Sequence, residues 1–217
     1  MFIKFCGFTR EEDVRFATGL DSVNAIGYIF HEKSKRYISP EFAGKLSEII
    51  DTFNESSSGK RILKTGIFVE QTLDETLEMA AAAKLDILQI YNAQIAAELE
   101  KHYPVFFTAR VRDKSVLNDL PVLSGKSFYL LDAYNEKQAG GSGDSFDWSL
   151  LNDFSEIDRT IVAGGIGLNN IEKVLSIPGI YGIDLSSGIE DEPGIKSSLK
   201  MKKLDSAIME VINGKLS

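Results

Sequence analysis

Residues 1–14 read MFIKFCGFTREEDV, and their order decides the fold. Phe2–Cys6 is a short apolar run with the length and make-up of a buried strand. Gly7 turns the chain, and Thr9 with Glu12 stands at the spacing of a capping box that opens a helix. A dinucleotide-binding fold would carry G-x-G-x-x-G at this turn, and a lone glycine does not serve. The pattern then recurs. Apolar, β-branched-rich runs follow at Asn24–Phe30, Ile62–Phe68, Ile87–Tyr91, Val105–Ala109, Phe128–Asp132, Thr160–Ala163 and Tyr181–Leu185, separated by helical stretches. Eight near-continuous apolar strands, each followed by a helix, describe a parallel sheet covered on its outer face. In 217 residues that is a (β/α)8 barrel, read as one domain over 1–217. The rival is a doubly wound open sheet, which loses its main support with the missing glycine motif.

Helix starts are announced by Thr72 with Glu75, a second capping-box pair, and by Ser39 before Pro40. Asn169 and Ser198 are the candidate caps of the last two helices.

Composition narrows the function. The chain has 43% hydrophobic and 26% charged residues, with 24 Lys and Arg against 32 Asp and Glu and a net charge of -8. That mean field repels polynucleotides, so no nucleic-acid partner is expected. No apolar run approaches the roughly 20 residues of a membrane span, and charges run through the first 25 residues, so neither a span nor a signal peptide is expected. The single Cys6 excludes an intramolecular disulfide and fits a reducing, cytoplasmic setting. His31 and His102 have no ligand spacing with carboxylates or with Cys6, and no metal site is expected.

In a barrel of this class, function gathers where strands end. Alternation along the first run turns Ile3 and Phe5 outward and Lys4 and Cys6 inward. The same parity turns Leu130 and Asp132 inward in the sixth run, and Gly182 and Asp184 inward in the eighth. Closure makes the first and eighth strands neighbours, so Lys4 and Asp184 are expected to pair. Such a pair is either a structural ion pair or the source of the field beneath a site. Cys6 alone reads as a small buried side chain, and Asp132 alone as a helix cap. Together, at the same end of the barrel, they are a thiol and a carboxyl that burial can tune for proton transfer.

Two glycine- and serine-rich turns suit an anion. Ala163-Gly164-Gly165-Ile166-Gly167 follows the seventh strand and Ser186-Ser187-Gly188 the eighth, where barrels of this class recurrently hold phosphate. Gly140-Gly141-Ser142-Gly143 reads as a mobile flap or a second anion contact, with a flexible surface loop as the alternative. Lys33, Lys35 and Arg36, after the second strand, form a basic rim patch or a solvated charge run.

These residues resemble the phosphoribosylanthranilate isomerase family. The resemblance rests on KFCGFTREEDV (4–14), AIGYIFHEKSKRYISPE (25–41), YLLDA (129–133), GGSGDSFDWSLL (140–151), VAGGIGLNNI (162–171) and DLSSGIEDEPGIK (184–196), in family order. It implies a cofactor-free isomerase of tryptophan biosynthesis, an Amadori rearrangement that shifts hydrogen within one phosphorylated substrate. Cys6 would be the general base and Asp132 the general acid. Arg36 would hold the anthranilate carboxylate, with Gln89 and Asp184 lining the pocket, and Gly164, Gly165, Ser186, Ser187 and Gly188 would hold the phosphate. A small phosphorylated molecule is then the partner, and the chain a monomer or homodimer.

Three positions depart from the family pattern. Tyr91 stands where His is usual, Phe107 aligns with a usual Lys, and Asp144 follows the third glycine-rich turn. They keep two other readings open: a different phosphosugar enzyme, or a phosphate-ligand binder without turnover. A Schiff-base aldolase would need Lys4, which Asp184 would keep protonated.

Overall fold

The computed structural model describes residues 1–133 and 147–214. Eight parallel strands close in sequence order: β1 (Phe2–Cys6), β2 (Ala25–Ile29), β3 (Leu63–Phe68), β4 (Ile87–Ile90), β5 (Val105–Val111), β6 (Phe128–Ala133), β7 (Thr160–Val162) and β8 (Gly182–Leu185). The closing pair aligns Lys4 with Asp184 and Phe5 with Leu185. The expected (β/α)8 barrel is therefore present, with all eight runs as strands.

Outside the sheet lie α1 (Glu11–Thr18), α2 (Pro40–Ser56), α3 (Leu73–Ala82), α4 (Ala93–Leu99), α5 (Ser115–Asn118), α6 (Ile171–Leu175) and α7 (Ser198–Ile212). Among the described residues the layer is thinnest between β5 and β8. α6 runs five residues before Pro178 and Gly179, which cannot continue a helix cheaply. Among the described residues, only the 3₁₀ turns Trp148–Leu151 and Ile157–Arg159 stand between β6 and β7. A short hairpin, β9 (Glu190–Glu192) with β10 (Ile195–Lys196), was not expected from the apolar pattern and follows β8.

The caps divide by geometry. Thr72 and Glu75 form both arms of their capping box, and the Ser39 side chain accepts from Phe42 N–H ahead of Pro40. At α1 the expected box is absent. Arg10 is the N-cap there, and Thr9 Oγ1 instead donates to the Gly194 carbonyl at 2.6 Å. The helix starts one residue later than the box requires, so Glu12 is its second residue and not its third. Likewise Asn170 and Ser197, rather than Asn169 and Ser198, occupy the cap positions of α6 and α7.

Two cores result. The larger lies between sheet and helices and contains Ile3, Phe5, Phe107, Leu131 and Leu185. The smaller plugs the barrel interior with Ile87, Phe106, Leu130, Ile161 and Ala163. Below them Phe2, Phe128 and Tyr181 stack, with Phe128 and Tyr181 ring centres 4.1 Å apart. The aromatic floor keeps water out of that end, so the polar inward residues collect above it, at the C-terminal ends of the strands.

Candidate active site

Cys6, Arg36, Gln89, Asp132, Asp184, Ser186 and Ser187 all line one pocket at that end, together with Gly164 and Gly165. Nine of the ten residues singled out from the sequence thus meet in one place. The tenth, Gly188, is not part of the lining: a side chain there would start 2.1 Å from the Ile166 carbonyl oxygen. Its bareness lets the β7 and β8 loops press together. Gly164 has φ +89°, and a Cβ on it would come within 2.7 Å of Ala133 N and 2.8 Å of Asp132 Oδ1. Only glycine tolerates both the dihedral and the approach.

The pair expected at the closure is formed. Lys4 Nζ, wholly buried, donates to both Asp184 oxygens at 3.0 Å. Burial works against the Lys4 ammonium, but the charges of Asp184 and Cys6 outweigh it and lift its pKa above the ordinary value. Burial pushes the Cys6 thiol up, and the Lys4 charge draws it part of the way back. Asp132 is different. Burial and the nearby Asp184 charge push its carboxyl up to about 6, against the 2.8 Å hydrogen bond that it accepts from Ala133 N–H and the pull of Arg110. A carboxyl held near neutrality in the same pocket as a buried thiol is suited to proton exchange with a ligand.

The basic rim patch is not formed as such. Lys33 and Lys35 stay exposed, and Arg36 alone turns inward. Its Nε and Nη2 grip the Glu190 carboxylate, with Nη2 at 2.7 Å. Lys196 Nζ meets the same carboxylate at 2.6 Å and also donates to the Cys6 carbonyl. The β9–β10 hairpin therefore supplies a buried network that braces both Arg36 and the backbone of Cys6. Glu190 and Lys196 lie within the sequence block 184–196, but no local pattern marks them as one cluster.

Phe107, the position aligned with a usual Lys, faces the helix layer. A cation there would not reach the pocket, so its absence removes nothing from the site. The same strand instead presents Arg110, which lines the pocket with its guanidinium 5.2 Å from the centre of the Tyr91 ring. Ending the fifth run at Ala109 leaves Arg110 out, although the parity of Phe106 and Thr108 points to it. His31 and Ser34 also line the pocket and were not singled out as ligand residues. The third glycine-rich turn and Asp144 lie outside the described residues. Among the described residues no cluster of three or more His, Cys, Asp or Glu is arranged for a metal, and no helix is long and apolar enough to cross a membrane.

Fold and pocket together define a (β/α)8 barrel enzyme with acid–base groups and donor-rich loops at the C-terminal end of its strands. The family model for N-(5'-phosphoribosyl)anthranilate (PRA) isomerase matches residues 3–206. An N-(5'-phosphoribosyl)anthranilate isomerase of Thermoanaerobacter sp. (strain X514) is 33% identical over 202 residues, covering 92% of this chain and 94% of the relative. The crystal structure of the Thermus thermophilus phosphoribosyl anthranilate isomerase superposes with a TM-score of 0.79 at 27% identity, over 97% of this chain and 100% of that one. A phosphoribosyl anthranilate isomerase in complex with reduced 1-(o-carboxyphenylamino)-1-deoxyribulose 5-phosphate gives 0.75 at 25% identity, over 95% and 97%. The chain belongs to the N-(5'-phosphoribosyl)anthranilate isomerase family, and with it to the isomerases of tryptophan biosynthesis.

Proposed function

We propose that this protein converts N-(5'-phosphoribosyl)anthranilate into 1-(2-carboxyphenylamino)-1-deoxyribulose 5-phosphate, with Asp132 as general acid and Cys6 as general base. The observation that carries the reading is that thiol and carboxyl line one pocket whose rim is built by the β7 and β8 loops. Asp132 gives its proton to the ribose ring oxygen as the C1–O bond breaks, and the anthranilate nitrogen lone pair fills the vacancy at C1. Cys6, as thiolate, takes the proton from C2. The resulting enolamine takes a proton at C1 from solvent as its C2 hydroxyl gives one up to solvent, and becomes the 2-ketone, so C2 is oxidised as C1 is reduced and no outside oxidant is required.

The other residues hold the substrate. Backbone N–H groups around Gly164 and Gly165 and the Ser186 and Ser187 hydroxyls take the phosphate, with Gly188 allowing their approach. Arg36, held in orientation by Glu190, offers its remaining edge to the carboxylate. Lys4 and Asp184 set the charge beneath Cys6. Since Lys4 is already engaged by both Asp184 oxygens, an aldolase-type Schiff base finds no free amine there.

The test is turnover of phosphoribosylanthranilate made in situ, followed by loss of its fluorescence. Cys6→Ala and Asp132→Asn should each lower kcat by roughly 10²- to 10⁴-fold, the span of a general acid or base, while circular dichroism stays that of the parent. Turnover that survives Cys6→Ala within a factor of about three, well inside that span, would remove the proposed base. Alkylation of the lone thiol should inactivate, and bound product should protect.

A further inference from the structure

The wall formed by β4 and β5 carries polar groups that no described residue satisfies. Gln89 is 4% exposed and lines the pocket, yet its Oε1 has no hydrogen-bond partner among the described residues. Thr108 Oγ1, inward on β5, is unpartnered in the same way. Buried polar atoms left unmatched cost free energy, and where such an atom lines a pocket a ligand can supply the missing partner. Arg110 stands above them, half-buried at the mouth and stacked on Tyr91. Among the described residues it has neither an ion pair nor a hydrogen bond, whereas the charge of Arg36 is matched by Glu190. Asp132, its register partner on β6, is the nearest acidic neighbour along the sheet.

We propose that Arg110 and the Gln89 amide form the subsite that reads the ortho-amino aromatic carboxylate of the substrate. The amide oxygen accepts from the bridging N–H, and the guanidinium supplies a positive charge not committed to a salt bridge for the carboxylate. Tyr91 holds the guanidinium plane by stacking, which a protonatable imidazole in its place would oppose by charge. Arg36 then contributes direction and Arg110 contributes net charge, so the pocket discriminates an anthranilate from an unsubstituted aniline. This rests on the reading of the reaction given above and adds its specificity.

The test compares Arg110→Met, Arg110→Lys and Gln89→Leu with the parent. Arg110→Met should raise KM for phosphoribosylanthranilate roughly 10- to 100-fold, the effect of losing a charge-assisted hydrogen bond, with kcat changed by less than about threefold. Inhibition by anthranilate should weaken in parallel, while inhibition by inorganic phosphate stays level. Arg110→Lys keeps charge but not the planar stack, and should recover only part of the loss. Unchanged KM and anthranilate inhibition in Arg110→Met would overturn the proposal, as would equal loss of phosphate and anthranilate binding. Calorimetric titration of the parent and Arg110→Met with anthranilate in phosphate buffer reads the subsite without turnover. An inactive parent that binds anthranilate through Arg110 would thus refute the reaction and keep the subsite. A parent that binds no anthranilate would refute the subsite.

Discussion

The two sides of the barrel mouth are built on opposite principles. On the β8–β1–β2 side every buried charge has an answer: Lys4 with Asp184, and Arg36 and Lys196 with Glu190. Among the described residues of the β4–β5–β6 side Gln89 and Thr108 have unpartnered oxygens, Arg110 makes no salt bridge and acts on the Asp132 carboxyl only through space, and Asp132 accepts from one backbone N–H. Both sides pack on the same aromatic floor, so the contrast does not come from solvent access alone. It teaches that the first side spends its polar groups on holding Cys6 and the loops in place. The second keeps its groups unspent for a ligand.

The comparison can be broken on its closed side first. Lys4→Met strands the Asp184 carboxylate in a buried position and should cost about 3–5 kcal/mol in urea unfolding. Replacing both partners, Lys4→Met with Asp184→Leu, should recover most of that loss. If the single and double variants are equally unstable, the pair is not the source of the cost.

A smaller effect is expected in the pH profile. Cys6 holds its proton more tightly than Asp132, so above about pH 6 the pair mostly carries one proton, on sulfur. The working form, thiolate with protonated carboxyl, has the same proton count. Its share of the enzyme therefore grows about tenfold per pH unit below pH 6, then levels off, and falls only when the thiol titrates. Measured kcat/KM should show that acidic limb near 6. A limb near the ordinary carboxylate range would mean that Asp132 is more solvated than its surroundings indicate.

The smallest effect belongs to the open side. Thr108→Val exchanges an unpartnered buried hydroxyl for a methyl of the same shape, and should be neutral or stabilising by up to about 1 kcal/mol. A loss of stability well beyond that would show that the hydroxyl has a partner after all. Gln89→Leu should behave alike in unfolding while weakening substrate binding, which sharpens the contrast between holding the fold and holding a ligand.

Much of this site was legible in the chain. Strand parity turned Lys4, Cys6, Asp132 and Asp184 inward because side chains alternate on any pleated strand. The glycine–serine turns stood where the β7 and β8 ends had to be. Arg110 escaped because a strand's polar last residue lies beyond its apolar run, and the Glu190–Lys196 brace because its partners, Arg36 and Cys6, are more than 150 residues away in sequence. The box at Thr9 failed because the helix begins after Arg10, one residue later than the spacing of Thr9 and Glu12 requires.

By itself the sequence determined the barrel, the order of its strands and which residues faced inward, since periodicity and local sterics act over a few residues. Only the tertiary structure decided which charges were already neutralised and which stood ready. That depends on the angle at which distant segments meet, and a side chain's partners inside a closed barrel are set by closure, not by its neighbours along the chain.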